Sequence, residues 1–377
     1  INTLSQFPKL RVIARSTAFR YKGQNVDPQQ VGRDLGVRAV LTGTVAQLGD
    51  TLSVQADLVD VERGSQLWGQ RYNRRPSDIF AVQEQLAQEI SDQLRLKLTG
   101  EERQRLAKRY TENTEAYEYY IQGRYHWDRR TPDALQKAIE YFERAIHKDP
   151  TYALAYAGLA DSYNVLPIYT RVRPAEASQK ARAAAEKALS IDDSLAEAHN
   201  SLGYLFLRTI QDWEAAGREF RRALELNPGY ATAHHWYAVY LAATGRYDEA
   251  LAEIRRAQGV DPLSLSINRA VGRILYMARR YDQAIEQYRK TLEMDPNSSA
   301  AHTWLGTAWI QKGQYSRAVT ELQKALQLSA EDPLAEGLLG HAHARAGQKS
   351  EALRILNALR ERSKREYVSA YALAALY

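Results

Sequence analysis

Residues 229–262, GYATAHHWYAVYLAATGRYDEALAEIRRAQGVDP, run without a gap into residues 263–296, LSLSINRAVGRILYMARRYDQAIEQYRKTLEMDP. The two stretches are one pattern of about 34 residues written twice. Tyr237, Ala238, Leu241, Tyr247, Ala250, Ile254 and Ala257 of the first align with Val271, Gly272, Leu275, Tyr281, Ala284, Tyr288 and Thr291 of the second. Each copy reads as a helix, a short turn at Gly245-Arg246 or Arg279-Arg280, a second helix, and an Asp-Pro stop. Ala238 and Gly272 stand where the first helix crosses the second, so a bulky side chain there would push the pair apart. Ala250 and Ala284 are the small residues facing them, and Ile254 or Tyr288, one turn on, fills the space between neighbouring units. Pro262 and Pro296 lack the amide hydrogen and clash with a preceding turn, which ends each second helix.

Several positions recur together, and in this the chain resembles the tetratricopeptide repeat (TPR) family. The same pattern extends both ways. A stretched first unit carries Gly123, Ala138, Phe142, Ala145 and Pro150, with Thr131-Pro132 as a helix cap and first-turn pair. The second has Leu159, Ala160, Tyr163, Ala181, Ala185 and Ala188, and its turn reads as a long loop over Pro167–Pro174. The third opens on Ser194 and Glu197, spaced as a capping box, and carries Leu202, Gly203, Ala216, Phe220, Ala223 and Pro228. Beyond the regular pair come Leu305, Gly306, Ala318, Leu322 and Ala325, then Leu339, Gly340, Ala352 and Leu356. The expected array occupies residues 113–377, with seven complete units from Asn113 to Lys364 and a partial eighth from Tyr367.

Residues 1–100 follow another rhythm. Leu10–Ala14 is a short apolar run that predicts a buried strand, and Asp27-Pro28 starts a helix ending at Gly36. From Val37 the apolar period becomes two, with Leu52, Val54, Ala56 and Leu58 alternating against polar residues. Turns at Gly49-Asp50 and Glu62-Arg63-Gly64 make residues 37–73 a three-stranded antiparallel meander, in which Trp68 and Tyr72 share a face. Pro76-Ser77 open a helix whose Val82, Leu86, Ile90, Leu94 and Leu98 form a stripe to cover the sheet. With LRVIARSTAF, VGRDLGVRAVLTGTV and GSQLWGQRYNR, this region is similar to the small α/β domain called TolB-amino-terminal-like or FlgO-like. That resemblance implies a further strand before Ile1. Residues 101–112, EERQRLAKRYTE, read as a charged helical linker. The chain starts without methionine or signal peptide, and it is expected to be a piece of a longer protein. The predicted fold class is mainly α: a right-handed TPR superhelix preceded by a small, partial α/β domain.

Composition excludes several functions. No apolar run approaches the roughly 18 residues of a membrane span, so contact with a membrane is expected only through an anchor outside this stretch. The formal charge of +6 over 377 residues is dilute and mixed in sign, which argues against a nucleic-acid surface. Cysteine is absent, leaving neither disulfides nor thiolate metal sites and both sides of a bacterial membrane open. His341 and His343 point to different faces of one helix, and His234 and His235 are adjacent, so neither pair suits a metal. No HExxH, EF-hand, Walker A or GxSxG motif occurs. No catalytic site, metal or cofactor is therefore expected, and the 24 tyrosines are read as filler between helices.

The TPR resemblance implies a concave groove lined by the first helix of each unit. Carried over onto this sequence, its groove positions are Arg124, Asn164, Asn200, Tyr204, Arg208, His235, Arg269, Arg273, Tyr276, Thr307, Gln311 and Arg345. Arg269 and Arg273 are four apart, so both guanidiniums can leave one helix face toward an acidic partner. The Lys/Asn set of the family's carboxylate clamp is not reproduced. The expected function is a non-catalytic interaction or sensory module of a bacterial signalling protein, binding a peptide or protein with acidic segments. The alternative is the regulatory part of a larger enzyme, a nucleotide cyclase or Ser/Thr kinase, or of a winged-helix transcription regulator. Oligomeric state stays open.

Overall fold

The computed structural model describes residues 4–7, 10–94, 99–100, 108–170, 172–329, 332–365, 368 and 370–374. From residue 113 onward helices follow one another in pairs: α4 (Thr114–Arg129) with α5 (Pro132–Lys148), α6 (Ala153–Tyr169) with α7 (Pro174–Ile191), and α8 (Ala196–Leu205) with α9 (Trp213–Leu226). Then come α10 (Ala231–Ala243) with α11 (Tyr247–Val260), α12 (Leu265–Met277) with α13 (Tyr281–Met294), α14 (Ser299–Gln311) with α15 (Tyr315–Leu328), and α16 (Pro333–Arg345) with α17 (Lys349–Ser363). A short α18 (Ala370–Ala374) follows. Together they form a TPR-like superhelical stack.

Second helices show why the stack forms. Ala138, Phe142 and Ala145 of α5, spaced four and three apart, make one buried stripe, and Ala216-Phe220-Ala223 and Ala318-Leu322-Ala325 repeat it. The large member meets a glycine on a first helix. A Cβ added at Gly123 would come within 2.6 Å of the Phe142 ring, and one at Gly158 within 2.5 Å. Gly203 stands the same way to Phe220, and Gly306 to Leu322. A Gly306→Leu side chain would begin 2.7 Å from Leu322 Cγ and 3.2 Å from the Ala318 carbonyl oxygen. It is expected to cost about 1–3 kcal/mol by overpacking. A melting temperature equal to that of the parent would show that this contact does not hold the pair together.

Second helices end on a repeated side-chain device. Asp149, Asp192, Asn227 and Asp295 each accept the amide hydrogen of the residue two on, at 2.9, 3.2, 3.2 and 3.0 Å. These are Asx turns, which reverse the chain before the next first helix. This also explains why the expected Ser194–Glu197 capping box does not form. The Ser194 amide and hydroxyl both donate to Asp192, and the helix cap is Leu195 without a side-chain bond. Elsewhere the caps follow the sequence: Thr131 Oγ1 accepts from the Ala134 amide, and Asp27 accepts from Gln29 and Gln30.

The amino-terminal region holds a sheet of β1 (Ala39–Leu48), β2 (Thr51–Asp60) and β3 (Gln66–Arg74), antiparallel in the order β1-β2-β3. Helix α2 (Pro28–Asp34) lies against it, its Gly32 close enough for an added Cβ to overlap Val61. On one face Val54, Tyr72 and Val82 form a small core with Leu52, Trp68 and Leu86, so α3 (Ile79–Gln93) covers the sheet as its stripe requires. Leu98 lies outside the described residues. The Tyr72 hydroxyl donates to Glu89 Oε2 at 3.0 Å, and burial together with this carboxylate pushes the phenol up to about 12.

Three expectations about chain path are corrected. Leu10–Ala14 is not a strand; it is extended chain leading into the short α1 (Arg15–Phe19). Its apolar side chains have a helical array to lie against, and the Ala14 amide donates to the Val260 carbonyl at 2.8 Å instead of to a sheet. The linker is described from residue 108, and residues 108–112 are not helical. There Thr111 Oγ1 donates to Asp149 at 2.5 Å and Lys108 pairs with Asp192 at 2.7 Å, tying the chain to the turns after α5 and α7. Pro167–Pro174 is not one long loop. Helix α6 continues through Pro167 to Tyr169, and α7 begins at Pro174.

Candidate functional site

The continuation of α6 has a consequence across the superhelix. Helices α4 and α6 run 16 and 17 residues, and α8 is prolonged by a π-helical turn, Phe206–Ile210, whereas α10, α12, α14 and α16 have 13 each. The extra turns reach toward the facing wall. Tyr169, at the tip of α6, accepts a hydrogen bond from Arg269 Nη2 of α12 at 2.8 Å, a contact between residues 100 apart in sequence. Arg130, just past α4, takes a left-handed φ of 53° and lays its guanidinium 3.6 Å from the centre of the Trp127 ring. These overruns narrow the groove into a cavity of about 1880 Å³ lined by first helices and by part of the amino-terminal segment.

The cavity gathers cations from several repeats: Arg130, Arg208, His235, Arg269 and Arg273 line it together with Tyr169. Burial, then the charges of Arg273, Arg130 and Arg269, hold the His235 imidazole well below its usual range, so it is neutral at neutral pH. Burial opposes ionisation of Tyr169, yet Arg269, Arg130 and Arg273 outweigh it and lower the phenol. Next to Arg130, over the same Trp127 ring, Arg124 Nη1 donates to Asp161 at 3.0 Å. Asp161 is wholly buried and also accepts from Ser201 Oγ at 2.5 Å. Three successive first helices, α4, α6 and α8, are joined by this one carboxylate. Burial pushes Asp161 up, with Arg124 the largest opposing influence.

The amino-terminal segment enters the groove beside Asp261. Asp261 is the residue that, by the repeat pattern, should form an Asx turn with Leu263. Instead its carboxylate accepts from Ser16 Oγ at 2.5 Å and Thr17 Oγ1 at 2.7 Å, and Thr17 Oγ1 accepts the Leu263 amide hydrogen at 3.1 Å. Thr17 is thus inserted into the turn and is fully buried. Arg11 Nη1 donates to the Gly259 carbonyl at 2.9 Å, and Phe19 packs edge-on to Tyr125. The segment is basic, with Arg11, Arg15 and Arg20, and two of its hydroxyls sit on Asp261.

Of the residues expected in the groove, Arg124, Asn164, Arg208, His235, Arg269 and Arg273 line the cavity. The others do not. Asn200 is fully buried and its amide meets no protein partner; Tyr204 packs 4.3 Å from Trp236; Thr307 is buried and donates to the Thr303 carbonyl. Tyr276 packs on Trp304 and Tyr281, Arg345 donates to Tyr315 at 3.1 Å, and Gln311 is exposed at a helix end. For the buried Asn200, Tyr204 and Thr307 the reason is angular: each residue turns a helix by about 100°, so a one-position error moves a side chain from groove to core. Arg130, Tyr169 and Asp261 were not anticipated. Pro167 concealed Tyr169 behind an apparent loop, and Arg130 lies beyond the last helical turn.

Three of the eight histidines serve the scaffold. His199, His234 and His302 recur near the start of α8, α10 and α14, each with Nδ1 2.6 Å from a glutamate of the following helix, Glu219, Glu253 or Glu321. Their Nε2 atoms reach the carbonyls of Asp193, Pro228 and Pro296. Asn268 holds the equivalent place in α12 and bonds the Pro262 carbonyl. Among the described residues no group of three or more His, Cys, Asp or Glu is placed to hold a metal.

Comparison with known proteins agrees with the repeat architecture. Two sequence models of the tetratricopeptide repeat match, one over residues 270–333 and the other over 211–274 and 310–376. A protein of Rhizobium meliloti (strain 1021) named "Putative adenylate cyclase 3" is 36% identical over 160 residues. That match covers 42% of this chain and 27% of the relative, so the chain spans about a quarter of it. Among solved structures, the APC/C hetero-tetramer Cut9-Hcn1 is similar in fold, with a TM-score of 0.52 at 16% identity over 59% of this chain and 42% of that one. The type IV pilus biogenesis factor PilW matches with a TM-score of 0.48 at 18% identity, over 60% and 98%.

Proposed function

We propose that this chain is a non-catalytic interaction and sensory module of a bacterial signalling protein, and that its groove receives an anionic segment of a partner protein. The observation that carries the reading is the gathering of Arg130, Arg269 and Arg273 on one wall of a large cavity. Among the described residues, none of the three has a carboxylate within ion-pair distance. Elsewhere in the array the guanidiniums of Arg280 and Arg362 are neutralised locally, by Asp248 and Glu336. A cationic wall left open on a repeat scaffold suits charge-assisted recognition. The accompanying domain reading is a FlgO-like α/β domain over residues 1–100, a linker over 101–112 and a TPR array over 113–377.

The test is capture of the partner with the whole chain, followed by calorimetry at two salt concentrations. Arg269→Ala/Arg273→Ala is expected to weaken binding at least tenfold, about 1.4 kcal/mol, with the larger loss at low salt. Equal affinities for parent and variant would remove the groove from the interaction. A second reading, the regulatory portion of a nucleotide cyclase, is favoured by the relative named for that activity. It predicts that a longer form of the protein has cyclase activity which the same double substitution alters.

A further inference from the structure

We infer that the wall formed by Arg130, Arg269, Arg273 and Tyr169 is a binding site for a dianionic phosphate monoester, presented by a phosphorylated side chain or by a small phosphorylated molecule. The inference deepens the reading of the groove as a receiver of anions and rests on it.

Four features support it. The cations come from positions far apart in the chain: Arg130 from the turn inside the first repeat, Arg269 and Arg273 from the first helix of the fifth. Only the closure of the superhelix brings them together, and it does so with no carboxylate in ion-pair contact among the described residues. Holding guanidiniums half-buried without a counter-ion costs free energy that a bound anion would return. Arg130 feels the carboxyls of Asp128 and Asp161, but neither is in ion-pair contact with it. Secondly, burial lowers Arg130 and Arg273, and neighbouring groups do not restore them.

Thirdly, the donors outnumber what a carboxylate can use. Three planar guanidiniums offer several N–H forks, and the Tyr169 hydroxyl, accepting from Arg269 at 2.8 Å, keeps its own hydrogen for another acceptor. A phosphate monoester presents three terminal oxygens and up to two negative charges, and arginine forks match its geometry. Fourthly, there is room. A cavity of about 1880 Å³ exceeds the roughly 300–1,000 Å³ of a small-molecule pocket. Among the described residues the hydroxyls of the amino-terminal segment are spent on Asp261, and none of its carboxylates pairs with these arginines.

The experiment is calorimetry on the whole chain with inorganic phosphate, O-phosphoserine, a phosphoserine peptide and its glutamate counterpart. Parent protein is compared with Arg269→Gln/Arg273→Gln and with Tyr169→Phe, each checked for native circular dichroism. The phosphate probes are expected to bind at least tenfold more tightly than the glutamate peptide. The double variant should lose at least tenfold, and Tyr169→Phe, which leaves the charge unchanged, a smaller but measurable factor. Tighter binding of the phosphopeptide than of O-phosphoserine assigns the phosphate to a protein partner; equal binding assigns it to a small molecule. If the glutamate peptide binds as well as the phosphate probes, the phosphate assignment is overturned while the anionic-partner reading stands. Absence of binding by every phosphate probe, or binding undiminished in the folded double variant, overturns the site.

Discussion

Asp161→Ala is expected to be among the most damaging single substitutions in the array, destabilising its first three repeats by about 3–5 kcal/mol. The carboxylate is wholly buried, 3.0 Å from Arg124 Nη1 and 2.5 Å from Ser201 Oγ. Removing it strands the Arg124 guanidinium, only 14% exposed, against Trp127 with no opposite charge in contact among the described residues. Ser201 suffers less, because its hydroxyl hydrogen can turn to the Glu197 carbonyl oxygen, 3.0 Å away. Each repeat touches mainly its neighbours, so the loss should be local. Hydrogen exchange should rise in α4, α6 and α8 and stay near parental values in α14–α17. The pair replacement Asp161→Leu/Arg124→Met should recover much of the stability, since it removes both desolvated charges together. Parental exchange rates in α4 and α6 of the single variant would show that the ion pair does not join those helices.

Phe142→Ala is expected to cost about 3–5 kcal/mol by a different mechanism. The ring is fully buried between Gly123 of α4 and Gly158 of α6, and both glycines carry no side chain that could swing into the space. The void would persist, and the cavity penalty would add to the lost burial. Urea unfolding followed by circular dichroism should show a first transition at lower urea, arising from the first two repeats. A single transition at the parental midpoint would mean that this ring is not the wedge between α4 and α6. By contrast, Ala185 stands in the middle of the α7 stripe, where α5 has Phe142, and offers much less volume to remove.

The repeat itself was legible from sequence because its causes are local. Small and large residues spaced four and three apart dictate which face of a helix is buried, and an Asp or Asn at the close of a second helix turns the chain. Both act within one repeat or between neighbours, so a window of about 34 residues contains them. The meander of residues 39–74 was legible for the same reason, since alternation and turn residues specify antiparallel neighbours. Within the site, the Arg269/Arg273 pair could be found because two residues four apart on one helix share a face.

What tertiary structure alone decided was how the groove closes. The bond from Arg269 to Tyr169 and the insertion of Thr17 at Asp261 join residues 100 and 244 apart. Both depend on the small rotation between successive repeats, accumulated along the stack, and on first helices that overrun by about a turn. No residue type at any one position encodes that sum. Asp261 shows the limit plainly: its Asp-Pro context is that of Asp149 and Asp295, and only the arriving hydroxyls of Ser16 and Thr17 turn its carboxylate from a local cap into a docking point.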